Sequence, residues 1–235
     1  MGKHGQHGAL VGLLLLAASP AVAGCRLALV LALDISASVD EREDALQRGG
    51  LARALLAPEV TDAFLADPDA PVWLTVYEWS GPYAQAALLP WTEIAAEADL
   101  QAAAAAIAGS TRSRDDMPTA LGHALGYAAA LLRDGPDCDA RTVDVSGDGR
   151  NNEGFPPAAI YRAHRFGEVT VNALAIAGGE AGLVEYYAAE LIHGPGAFVM
   201  VADGFRDYER AIRAKLLREL AVPVIGALPQ RGGRG

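Results

Sequence analysis

Leu27 to Ser38 reads LALVLALDISAS. Its apolar run, Leu27 to Leu33, stops at Asp34, and Ser36 and Ser38 follow at alternate positions. A continuous apolar run of this length suits a strand covered on both faces, as in a parallel sheet. Open α/β sheets put their ligands just past the carboxyl ends of such strands, where these polar residues crowd. One carboxylate and two hydroxyls at spacing two suit a hard cation such as Mg²⁺, which takes small oxygen ligands in octahedral array. The stretch therefore reads as half of a metal site whose remainder lies downstream.

Working outward, strands and helices alternate. Acidic residues at Asp40 and Glu41 open a helix running to about Leu56, and Glu59 to Leu65 adds another turn. Val72 to Trp79 (VWLTVYEW) is a strand rich in β-branched and aromatic residues. After the turn Ser80-Gly81-Pro82, Ala84 to Leu89 is a short antiparallel return at the sheet edge. Trp91 to Ala108 holds a linker and an alanine-rich helix. Gly109 to Pro118 is a polar loop, and Thr119 to Leu132 a helix. Arg141 to Ser146 is a strand ending at Gly147-Asp148-Gly149. Helices follow at Pro156 to Phe166, Leu183 to Ile192 and Phe205 to Leu220, with strands at Val169 to Ala177 and Ala197 to Ala202. This order predicts one doubly wound α/β domain, Rossmann-like. Its six-stranded sheet is mostly parallel, with one antiparallel edge strand and helices on both faces.

The chain has 235 residues, 51% of them hydrophobic, and a net charge of −10. That suits a single domain over 25–222 with a sizeable core. The acidic balance argues against a nucleic-acid partner, which needs clustered Lys and Arg. Residues 1–24 carry a weakly basic start at Lys3, an apolar stretch Ala9 to Ala18, and Ala21-Val22-Ala23 before a cleavage point. This is the pattern of a secretory signal peptide, too short to span a membrane, so the expected location is secreted or periplasmic. No later stretch suits a membrane span, and 223–235 reads as a loose tail.

Two cysteines are present. Cys25 precedes Asp34 by nine residues and Cys138 precedes Asp148 by ten. If both segments are parallel neighbours ending at one site, both cysteines start at the opposite edge, within reach of a disulfide. Val22-Ala23-Gly24-Cys25 also resembles a bacterial lipobox, in which Cys25 would be lipidated. The two fates exclude each other.

Thr119 opens a helix after a flexible loop, and Asp148 follows a strand between two glycines that let the backbone turn. Asp34, Ser36, Ser38, Thr119 and Asp148 can thus come from three loops on one sheet edge. Five oxygen donors leave room in an octahedral shell for water or one outside ligand. Each residue also has a plainer reading: Ser38 or Thr119 as a helix N-cap, Asp115 and Asp116 as solvated loop carboxylates, and Asn151 and Asn152 as ordinary turn residues. Glu78, at a strand end, faces either the site or solvent.

The combined pattern resembles the von Willebrand factor A domain and its metal-ion-dependent adhesion site. Asp34-Ile35-Ser36-Ala37-Ser38 matches the Asp-x-Ser-x-Ser element, Thr119 the threonine, and Asp148-Gly149 the last aspartate. The resemblance runs from Cys25 to about Leu220. Tyr77-Glu78-Trp79-Ser80-Gly81 and Asp144 to Asn152 further resemble an uncharacterised family of secreted bacterial proteins with this domain. The resemblance implies direct metal contacts from Ser36 and Ser38, direct or water-mediated ones from Asp34 and Asp148, and a Thr119 that joins or leaves with ligand state. Mg²⁺ is the implied ion, with Mn²⁺ or Ca²⁺ as substitutes. The implied partner is a protein or peptide offering an acidic side chain. Met117-Pro118 departs from the family's glycine before the threonine. A passive scaffold with a structural metal is the alternative. A metal-dependent hydrolase is disfavoured, because two aspartates stand with no placed general base, so the chain reads as no enzyme.

Overall fold

The computed structural model describes residues 24–164 and 166–221. The expected signal peptide, apart from Gly24, and the expected C-terminal tail lie outside the described residues. β1 (Cys25–Asp34) leads to α1 (Glu41–Leu55) and α2 (Pro58–Phe64). β2 (Val72–Trp79) and β3 (Gln85–Ile94) form a hairpin, followed by α3 (Glu97–Ala108) and α4 (Leu121–Asp134). β4 (Cys138–Gly147), α5 (Pro157–His164), β5 (Thr170–Ile176) and α6 (Leu183–Tyr186) come next. α6 runs on into a π-helical turn, Tyr187–Leu191. β6 (Val199–Ala202) and α7 (Tyr208–Leu220) complete the set, α7 being entered through a 3-10 turn at Phe205–Asp207.

The strands lie in the order β3-β2-β1-β4-β5-β6, all parallel except β3. β1 is central and buried on both faces, as its unbroken apolar run requires. Leu27, Leu29, Leu31 and Leu33 pack among residues of α1, α2, α3 and α7. Ala28, Val30 and Ala32 pack among those of α4, α5 and the π-helical turn. Ala124 and Ala128 of α4 meet this second face, and small side chains on both partners allow helix and sheet to approach closely.

Several element boundaries differ from the sequence expectation; α4, for one, begins at Leu121 rather than Thr119. β3 continues through Pro90 and Trp91 to Ile94, where a linker was expected. As the edge strand it tolerates a proline, and Val72 pairs with Ile94. β4 begins at Cys138, three residues early, because it pairs along the full length of β1. β6 begins at Val199 rather than Ala197.

The register between β1 and β4 fixes both ends of the molecule. Cys25 pairs with Cys138 at one edge, and the two sulfurs are joined in a disulfide with the Cα atoms 4.7 Å apart. At the other edge Leu33 pairs with Ser146. Asp34 and Asp148 therefore leave the sheet together, at the point between β1 and β4 where the strand order reverses and α/β sheets open a crevice.

Candidate metal centre

Asp34 ends β1 fully buried, and its backbone is held on both sides. Gln47 Nε2 donates to Asp34 O at 2.8 Å, and the Ile35 amide donates to Trp79 O at 2.8 Å. The chain then turns, and the Ser36 amide donates to Asp34 Oδ1 at 2.7 Å. Ser36 Oγ lies 3.1 Å from Ser38 Oγ, and Ser38 Oγ donates to Asp148 Oδ1 at 2.8 Å. Ser36, Ser38 and Asp148 thus form one line of oxygen atoms across two loops, and Asp34 is tied to it through the Ser36 amide. Ser36 is buried and Ser38 exposed, so the line runs from the sheet end to the surface.

Neither serine nor threonine is spent on capping. Asp40 caps α1, accepting from the Glu43 amide, while Glu43 Oε2 accepts from the Asp40 amide. α4 starts at Leu121 after Ala120, with no side-chain cap. Thr119 is buried, and its Oγ1 lies 3.4 Å from where a Cβ on Gly149 would stand. Asn152 holds it there: the Thr119 amide donates to Asn152 Oδ1 and the Asn152 amide to Thr119 O, both at 2.9 Å.

Two more residues shape the site and carried no motif signal. Tyr187, at the π-helical turn, donates to Gly149 O at 3.0 Å. A Cβ on Gly147 would fall 2.6 Å from Tyr187 Oη and 2.8 Å from Asp34 Oδ2, so glycine lets β4 end against the Asp34 carboxylate. Arg112, in the loop before Thr119, donates to the carbonyls of Val39, Ile35 and Ser36. Long-range contacts of this kind leave no spacing in the sequence.

The two carboxyls stand close together in a buried setting, which disfavours their charged forms. Burial, with Asp148 nearby, pushes the Asp34 carboxyl up to about 7. Burial also raises Asp148. Asp34 Oδ2 is buried without a hydrogen-bond partner, a position that costs free energy unless something supplies positive charge. Among the described residues, no group of three or more His, Cys, Asp and Glu side chains is placed to hold a metal ion. A cation at this edge would therefore depend on hydroxyls. The donor set fits one: two hydroxyls and two carboxylates are small hard oxygen ligands.

The other polar residues go elsewhere. Glu78 faces neither solvent nor the oxygen line; it is buried, pairs with Arg48 and accepts from the Ser113 amide at 3.1 Å. Asp115 and Asp116 are exposed, with Asp116 Oδ1 3.6 Å from Arg114 Nε. Asn151 Oδ1 accepts from the Gly122 amide at 3.4 Å. His123 stands between Tyr83 and Phe155, and His193 stacks on Tyr161. Asp144 lies on the α7 side of the sheet, 2.8 Å from Lys215 Nζ.

The match to one family model covers residues 24–224, nearly all of the chain past its first segment. The chain belongs to the family described as protein of unknown function, DUF1194. No curated protein matches its sequence. Solved structures share its fold at low identity. A von Willebrand factor type A protein from Catenulispora acidiphila superposes with a TM-score of 0.57 at 18% identity, over 84% of this chain and 43% of that one. Proximal thread matrix protein 1 from the mussel byssus, in a form described as having a zinc-occupied MIDAS motif, gives 0.60 at 16% identity, over 84% and 48%. The pilus adhesin SpaC from Lactobacillus rhamnosus GG gives 0.60 at 15%, over 83% and 30%. The chain spans about half the length of the byssus protein. It has the von Willebrand factor A fold.

Proposed function

We propose that this chain is a secreted or periplasmic binding module that holds a divalent cation at Asp34, Ser36, Ser38, Thr119 and Asp148 and uses it to capture a carboxylate of a protein or peptide partner. The observation that carries this reading is the line Ser36 Oγ, Ser38 Oγ, Asp148 Oδ1, at 3.1 and 2.8 Å, beside a buried Asp34 oxygen with no partner. Oxygens at these separations are spaced as neighbouring ligands of one small octahedral cation would be, about 3 Å apart for metal–oxygen bonds of about 2.1 Å. Mg²⁺ is the proposed ion, with Mn²⁺ or Ca²⁺ as substitutes; the zinc described in the byssus protein's motif supports a divalent cation without choosing among them.

A cation held by neutral hydroxyls and few carboxylates keeps much of its charge, and an open position then accepts an anionic oxygen from outside. Metal and partner bind interdependently. Among the described residues, none on this edge is placed as a general base beside a nucleophile, which favours binding over catalysis. The fold itself is compatible with many activities, so the reading rests on the site.

The test has two stages. Mn²⁺ is titrated calorimetrically into the mature protein and into Asp34→Ala, with folding checked by circular dichroism. Capture from a bacterial periplasmic extract is then compared in Mg²⁺ and in EDTA. Mn²⁺ binding by wild type alone, with a partner retained only in Mg²⁺, supports the reading. Equal Mn²⁺ binding by folded Asp34→Ala removes the site. A partner retained in EDTA moves the binding surface elsewhere and reduces the cation to a structural role.

A further inference from the structure

The loop that delivers Thr119 also delivers Arg112, whose side chain reaches under the first metal loop. Its Nη1 donates to Val39 O at 2.7 Å, and its Nη2 donates to Ile35 O at 2.8 Å and Ser36 O at 2.9 Å. Three carbonyls of one five-residue turn therefore converge on a single guanidinium. Carbonyl dipoles aimed at one point repel one another unless a cation sits there, and only the planar fork of arginine offers several donors in fixed directions. Tying these carbonyls to one side fixes the two peptide planes that flank Ser36 and the one that follows Val39, with Ser38 held between them. A direct backbone bond closes the same joint, from the Ala37 amide to Met117 O at 2.8 Å.

Arg112 is itself held on both sides. Ser110 Oγ accepts from Arg48 Nη1 at 2.7 Å and donates to Ile107 O at 2.6 Å. On the other flank, the Ser113 amide donates to Glu78 Oε1 at 3.1 Å. Arg48 and Glu78 are both buried and paired, and Arg48 Nε also lies 2.9 Å from each oxygen of Asp44. A buried ion pair anchored on α1 and β2 thus sets the positions of Ser110 and Ser113, and Arg112 between them locks the turn after β1.

We propose that Arg112 is a positioning residue that holds the Asp34 to Ser38 turn in its cation-ready shape before any cation arrives, with the Arg48–Glu78 pair fixing the loop that supplies it. The proposal rests on the cation reading above and adds to it: the site is preassembled, and the ion selects a shape already present. Residues that orient metal ligands from outside the coordination sphere typically set metal affinity by about 10-fold to 100-fold.

The experiment compares wild type, Arg112→Lys and Arg112→Ala. Mn²⁺ affinity is measured by calorimetry, melting temperature in EDTA, and hydrogen exchange at the Ala37 amide in EDTA. Arg112→Lys keeps the positive charge and loses the fork, so it separates positioning from electrostatics. Both folded variants are expected to bind Mn²⁺ at least about 10-fold more weakly, with the Ala37 amide protected in metal-free wild type and exposed in the variants. Unchanged Mn²⁺ affinity in either folded variant overturns the proposal. So does rapid Ala37 exchange in metal-free wild type, a result that holds even if neither variant folds. Wild type that binds no Mn²⁺ overturns the cation reading itself, which the variants' failure alone does not.

Discussion

Ser38 Oγ donates to Asp148 Oδ1 at 2.8 Å, joining two turns that stand 110 residues apart in the chain. The bond ties the turn after β1 to the turn after β4 at the surface end of the oxygen line. Ser38 is exposed but its bond goes to a buried carboxylate, so the bond contributes about 1.5 kcal/mol. Ser38→Ala is therefore expected to melt within a few degrees of wild type in EDTA, yet to lose most of the rise in melting temperature that Mg²⁺ or Mn²⁺ gives wild type. Thermal melts with and without the ion check this; a full metal-induced shift in Ser38→Ala removes the hydroxyl from the ligand set.

Asp34 should behave in opposite ways with and without the ion. Its carboxylate is buried, lacks a partner at Oδ2 and feels Asp148. Asp34→Asn removes that charge, so in EDTA near neutral pH the variant is expected to be as stable as wild type or more so. In saturating Mg²⁺ the order reverses, because only wild type gains binding free energy on folding. Denaturant titrations in both conditions decide it: a variant weaker than wild type by the same margin in each would mean that Asp34 serves structure alone.

The disulfide closes a sequence separation of 113 residues at the edge opposite the oxygen line. A cross-link over so long a loop restricts the unfolded chain considerably, and its loss typically costs about 2–5 kcal/mol. Cys138→Ser is expected to lower unfolding free energy by that amount while leaving the Mn²⁺ affinity of the folded protein near wild type. A large change in that affinity would show that the two edges are coupled through β1.

A pH dependence follows from the α7 side of the sheet. Lys215 Nζ lies 2.8 Å from Asp144 Oδ1 and 2.6 Å from Glu219 Oε1, all three buried. Asn172 Nδ2 donates to Glu219 Oε1 at 2.7 Å, and Tyr208 flanks the group. Burial pushes the Asp144 carboxyl up, Lys215 opposes that, and Glu219 adds to it. The folded state therefore holds this proton more tightly than the unfolded state. Its stabilising effect is complete below the ordinary carboxyl value of about 4 and fades as pH rises through the elevated one. Stability in EDTA is expected to fall from pH 5 to pH 7.5. Asp144→Asn should flatten part of the fall and Asp34→Asn a further part. Melting curves across that range test it, and a slope unchanged in Asp144→Asn would rule out the contribution of this cluster.

The architecture was largely legible because it rests on periodicity. The apolar run of β1, the β-branched alternation of β2 and the helical stripes between them are local patterns, and the sheet they imply is the one observed. The end of β3 was not legible: Pro90 and Trp91 look like a linker until an edge position makes a proline tolerable. The start of β4 was missed for a related reason, since pairing with β1 extends it to Cys138 beyond what its own composition suggests.

The sequence by itself determined the order of strands and helices and the identity of the oxygen-bearing residues at the strand ends, because burial on both faces of β1 and the turns at Asp34 and Asp148 are written in consecutive residues. Only the tertiary structure decided what holds those residues in place. Tyr187 against Gly147, Asn152 on Thr119, Arg112 beneath Ile35 to Val39, and Arg48 paired with Glu78 all join segments distant in the chain. Such contacts have no period and no spacing. They arise from how buried polar groups satisfy one another once the sheet is formed, and they become visible only when the chain is folded.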